Sequence, residues 1–198
     1  MRPSIKDKRA KLIGDIAVKC IENNISFILK NQKYTTSDGN KITGYFIENY
    51  EIKIACRVSF KKWFDTLVHE SCHLDQYLEN LNNLYWHKSN INIGVVNDWL
   101  NKKSKQSENI LNSFKIVMEL ELDCAKRSVK KYKKYDIPLD NYIKGANAYL
   151  FSYVHAFKNR KWYPMSYYKN HILVNMPNKL LTVNEYFNKY DKFSHLFQ

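Results

Sequence analysis

The chain has 198 residues, 44% hydrophobic and 15% aromatic, which is enough apolar side chain for one globular domain with a real core and too much for a disordered segment. Its 32 Lys and Arg against 19 Asp and Glu leave a formal charge of +13, a field that attracts polyanions such as nucleic acid or an acidic protein and that salt screens. No run of about 20 apolar residues exists to span a bilayer, and none follows Met1-Arg2-Pro3 to make a secretory signal, so the chain is expected to act inside a cell, in the cytoplasm.

From Ile5 to about Asn23, Leu12, Ile13, Ile16, Ala17, Cys20 and Ile21 recur at spacings of three and four, which predicts an amphipathic helix. Ile25 to Lys30, Lys41 to Glu48 and Glu51 to Phe60 are rich in Ile, Phe, Tyr and Val, with a turn signal at Ser37-Asp38-Gly39-Asn40, and predict a small antiparallel sheet. A helix from about Lys61 to Leu81 follows. After a loop containing Gly94 the pattern is helical throughout: Val95 to Lys103, Ser107 to Lys134, Leu139 to Lys158 and Val183 to Lys192, with Pro138 and Pro164 as boundaries. The expectation is an α+β fold in one domain of two lobes, residues 1–81 and 95–198. Cys20, Cys56, Cys72 and Cys124 form no Cys-x-x-Cys pair, sit in apolar runs and read as reduced core residues.

The chemistry concentrates in Leu67-Val68-His69-Glu70-Ser71-Cys72-His73-Leu74. Residues four apart on a helix share a face, so His69 and His73 can converge on one cation, and zinc is the ion such a pair suits. Glu70 is too far round the helix to bind the metal well, but it reaches a water that the metal activates and can take its proton. A chance match would be a surface helix carrying two histidines. Trp63, Phe64, Leu67, Val68, Cys72 and Leu74 argue otherwise, because polar side chains in so apolar a helix have a reason to be there.

A catalytic zinc uses three protein ligands and keeps a place for water. Glu121, Glu119 and His87 are the candidates for the third. Leu111, Phe114, Met118, Leu122, Ala125 and Val129 define the apolar face of their helix; Glu121 lies about 50° from its centre and Glu119 more than about 100°. Periodicity therefore favours Glu121. Glu119 shares its azimuth with Lys115 and Lys126, as a solvated face would.

The residues around the motif resemble the zincin superfamily of zinc metallopeptidases, which place uncharged residues before the first His and between Glu and the second; Val68, Ser71 and Cys72 obey that pattern. The order of elements resembles zincins across most of the chain. There the last strand before the motif helix lines the cleft and substrate peptide pairs along its edge, which by position implies Glu51 to Val58. Glu119-x-x-x-Asp123 resembles the gluzincin pattern, in which an aspartate supports a ligand histidine. His87, fourteen residues after His73, resembles the third histidine of Spartan-type DNA–protein crosslink proteases, although Trp86 stands where that family has glycine. The motif, Glu121 to Arg127 and Ala146 to Tyr149 together resemble small phage-encoded metallopeptidase-like proteins. That resemblance implies a gluzincin-like fold and a bacterial or phage-infected cytoplasm, and it names no substrate.

The resulting expectation is zinc-dependent hydrolysis of a protein or peptide, with His69, His73 and Glu121 as ligands and Glu70 as general base. An oxyanion donor is also needed, and Tyr149, Tyr153 and His155 are placed to supply one. Two readings compete: a basic nucleic-acid-associated module with structural zinc, and an inactive zincin fold that binds a host protein. The basic clusters Lys126 to Lys134 and Lys158, Arg160, Lys161, Trp162 and Tyr163 would serve the first, with phosphates on the cations and bases on the rings. A solvated helix surface accounts for them as well.

Overall fold

The computed structural model describes residues 3–37, 40–79, 84–103, 108–139, 141–162 and 170–197. It is an α+β structure that divides into two compact units, residues 1–81 with 127–138 and residues 82–126 with 139–198. Among the described residues no helix is long and apolar enough to cross a membrane.

In the first unit, α1 (Ile5–Glu22) starts at a capping box in which the Ser4 hydroxyl accepts from the Asp7 N–H and the Asp7 carboxylate accepts from the Ser4 N–H. It buries Leu12, Ile16 and Cys20, while Ile21, part of the predicted stripe, is 72% exposed. Five short strands follow: β1 (Ser26–Lys30), β2 (Thr35–Ser37), β3 (Asn40–Ile42), β4 (Gly44–Ile47) and β5 (Glu51–Ala55). Among the described residues β2 and β3 form a separate two-stranded sheet, and the Asp38-Gly39 centre of the predicted turn lies outside them.

The remaining sheet has the order β1-β5-β4 and is mixed, not antiparallel. β5 runs antiparallel to β4, with Gly44 opposite Ile54, and parallel to β1, with Ser26 opposite Glu51. Parallel pairing arises because the chain leaves β1 through the β2–β3 hairpin and β4 before returning alongside it; such a crossover reverses direction twice. With a partner on each edge, β5 buries Ile52, Ile54 and Ala55 completely. Glu51, buried on the same face as Lys53 and Ala55, is neutralised by Lys53 and accepts from the Tyr45 hydroxyl. Gly44 is required where β4 passes the next layer, since a Cβ there would stand 2.5 Å from Ile54 Cδ1 and 2.9 Å from Thr66 Cγ2.

α2 (Phe60–Glu79) carries the motif and packs on β4 and β5. The first unit is completed by the end of α4 (Glu108–Lys134), whose Tyr132 is buried edge-on against Phe64 with its hydroxyl donating to Asp65. Asp75 on α2 is paired with Lys19 of α1 at 2.5 Å and Lys131 of α4 at 2.8 Å, and Lys131 also donates to Ser71.

The second unit is helical: α3 (Leu84–Leu100), α4 as far as Lys126, α5 (Tyr142–Asn159), α6 (Asn170–Asn175), α7 (Val183–Phe193) and a closing 3-10 turn (Ser194–Phe197). Its core joins Trp99, Phe114, Met118 and Leu122 to Phe151, Val154, Tyr186 and Phe193. Gly94, expected in a loop, lies inside α3. The helix continues because burial of Trp86, Val96 and Trp99 outweighs the roughly 1 kcal/mol that an interior glycine costs. α6 has too short a sequence pattern to have been predicted, and Pro164 lies outside the described residues.

Asp75→Ala should destabilise the protein by about 3 kcal/mol, because Lys131, with only 18% of its side chain exposed, would keep a buried charge without its counter-ion, whereas the more exposed Lys19 can turn to water. Equilibrium denaturation checks this; a shift as small as that of an ordinary surface substitution would contradict it.

Candidate metal centre

α2 sets the geometry. Phe64, Leu67, Val68, Cys72 and Leu74 are each at most 2% exposed, so the helix is anchored almost all round and its polar side chains are held where they stand. His69 is half-buried and His73 is 8% exposed. Their rings meet edge to face with centroids 4.7 Å apart, and His73 Nε2 lies 3.1 Å from His69 Nε2. Two nitrogen ligands of a tetrahedral zinc ion at 2.0–2.1 Å stand about 3.3 Å apart. The pair thus fits a shared cation. Glu70 is half-buried at the next position round the helix.

His73 has a further partner that the sequence reading missed. Its Nδ1 is 2.8 Å from Oε1 of Gln76, a side chain with no exposed surface. The signal was present as a polar residue three positions after His73 within an apolar helix, where i and i+3 side chains meet.

On α4, burial separates the two acidic candidates as the helical wheel ranked them. Glu119 is exposed and Glu121 is 7% exposed. In the second unit, Oε1 of Glu121 accepts from the Tyr149 hydroxyl at 3.3 Å and the Tyr153 hydroxyl at 3.2 Å, and the two phenols are 2.9 Å apart. Tyr149 and Tyr153, expected as oxyanion donors, are therefore brought to Glu121. His155 points elsewhere in the same unit, with Nδ1 2.8 Å from the Tyr190 hydroxyl, and burial holds its pKa below the ordinary histidine value. His87 is exposed on α3. Asp123 is half-buried one turn after Glu119.

One expectation needs correction. β5, the strand implied to pair with substrate, has both edges occupied, so no peptide can add along it; in its sheet β4 is an outer strand. In the lysine cluster on α4, Lys131 is bound by Asp75 and Ser71 and the Lys134 ammonium lies over the Tyr135 ring, while Lys126, Lys130, Lys133 and Lys134 are exposed. Of the second cluster, Arg160 donates to the Trp99 carbonyl at 2.9 Å, and Arg160, Lys161 and Trp162 join Lys102 in lining a cleft of about 450 Å³. Tyr163 lies outside the described residues.

Cys20, Cys56, Cys72 and Cys124 form no disulfide with one another, and burial pushes the Cys20 thiol up to about 11 and raises that of Cys56. Comparison with protein-family models, with curated proteins and with solved structures finds no match to this chain.

Removing both phenols from Glu121, in Tyr149→Phe/Tyr153→Phe, should destabilise the protein by about 2 kcal/mol, because a buried carboxylate oxygen loses two donors. Glu119→Ala should stay within about 0.5 kcal/mol of the unmodified protein. Thermal melting of both variants tests the contrast, and equal effects would refute it.

Proposed function

We propose that this chain is a zinc-dependent peptidase in which His69 and His73 bind the metal through Nε2, Glu121 provides the third ligand and Glu70 is the general base. The observation that carries the reading is the 3.1 Å approach of the two Nε2 atoms on a helix too well buried to be an ordinary solvated surface. Without a cation, that approach amounts to a hydrogen bond from one ring to the other. With one, both nitrogens become ligands.

Glu121 is supported over Glu119 by its burial and by the phenols on Oε1, which orient a ligating carboxylate as outer partners commonly do. Cys124, three residues after Glu121 on α4, offers a thiol as the competing donor.

Held by His69, His73 and Glu121, a zinc ion would supply Lewis acidity toward a water and a peptide carbonyl. Glu70 takes the proton of the attacking water and delivers it to the leaving amine. A structural zinc site has no use for that carboxylate, which favours an enzyme over a binding module. On the resemblance alone, the substrate is a protein or peptide in a bacterial or phage-infected cytoplasm.

Protein purified without chelator should contain close to one zinc per chain, lost on chelation and in His69→Ala and His73→Ala. Glu70→Gln should keep the metal while cleavage of a peptide library falls by at least about 100-fold. Glu121→Ala should weaken zinc binding more than Glu119→Ala or Cys124→Ala. Metal-free protein under these conditions would sink the proposal, and a larger loss in Glu119→Ala or Cys124→Ala would reassign the third ligand.

A further inference from the structure

Glutamine is a side chain that proteins mostly leave exposed, yet Gln76 has no exposed surface and its amide oxygen is turned to His73 Nδ1 at 2.8 Å. An amide buried without a partner costs on the order of 1–3 kcal/mol, so the contact answers a need of Gln76 itself. It also decides the state of His73. An amide oxygen only accepts, so the proton of a neutral imidazole facing it resides on Nδ1. The lone pair is then on Nε2, the atom that approaches His69.

The ring orientation is fixed by the same contact. Gln76 and His73 are three residues apart on one helix, with Cys72 and Leu74 buried on either side of the histidine, so neither partner can swing away without opening the packed face.

We propose that Gln76 is the positioning residue of the metal centre, holding His73 as the Nδ1–H tautomer with Nε2 aimed at the ion. This rests on the zinc reading above, since a positioning role toward the metal has meaning only if one binds. Gln76 touches neither substrate nor reacting atoms, and its effect is on the readiness of the ligand. An isosteric apolar replacement should leave His73 to sample both tautomers and rotate, whereas a carboxylate should hold the tautomer at least as well and make the imidazole a stronger donor.

The test uses the full chain with zinc titrated by competition against a chromophoric chelator, together with nitrogen-15 NMR of the histidine rings in the zinc-free protein. Gln76→Met should lower zinc affinity about 10–100-fold and replace the single Nδ1–H signature of His73 with a mixture of tautomers. Gln76→Glu should bind zinc at least as tightly as the unmodified protein and retain that signature. Should Gln76→Met fail to fold, as judged by circular dichroism, Gln76→Glu decides alone, and a clear loss of affinity there overturns the inference. Unchanged affinity and unchanged tautomer in folded Gln76→Met would also overturn it while leaving the zinc reading intact. If the unmodified protein binds no zinc, both fall together.

Discussion

Helix α2 is buried along nearly its whole length, and a polar side chain on a buried helix must find a partner or unfold the segment that carries it. That constraint organises the first unit. Ser71 and Asp75 are engaged by Lys131, Asp65 by Tyr132, and His73 by Gln76 and His69. The partners come from α1, from the end of α4 and from α2 itself, so the same pairings that hold the helix in place also tie together segments far apart in sequence. The motif inherits this rigidity. Two imidazoles on a loose surface helix would explore many rotamers, and here the room for that has gone.

Legibility in the sequence followed the range of the forces involved. Helices with long apolar stripes, α1, α4, α5 and α7, were readable within a few residues at their ends because periodicity is local and repeated. The motif helix was readable for the same reason, reinforced by residue types rarely found together. Glu121 could be ranked above Glu119 from azimuth alone, because burial on an amphipathic helix is a matter of direction. What could not be read depends on distant partners. The sheet was expected to be antiparallel because adjacent strands usually hairpin, and nothing in Ser26 to Lys30 announces that it will lie parallel to Glu51 to Ala55. Gly94 looked like a loop because its helix is justified only by tryptophans elsewhere in α3. Gln76 looked like one more polar residue until His73 Nδ1 was seen facing it.

The net charge of +13 takes on a different aspect once individual cations are followed. Lys131 is an internal group whose charge is neutralised by Asp75, and Lys53 serves Glu51 in the same way on the sheet. Lys8 pairs with Asp136, and Arg127 with Glu79. Several lysines and arginines that a charge count assigns to the surface field therefore act as short-range partners of carboxylates, with their reach to solvent reduced accordingly. An excess of positive charge remains, and it is distributed over what those pairings leave.

The split course of α4 has a consequence for synthesis. The first unit consists of residues 1–81 and 127–138, so its sheet and motif helix leave the ribosome well before the residues that complete them. Until residue 132 has emerged, Phe64 lacks the Tyr132 ring and Asp65 lacks its phenol. Asp75 meanwhile has only Lys19. The nascent amino-terminal segment must remain incomplete while some 45 residues destined for the other unit are made, exposing apolar surface on α2 through that interval. A chain of this design gains its histidine pair early in sequence but its rigidity late in time, and through that interval the helix that carries the pair stands half-built.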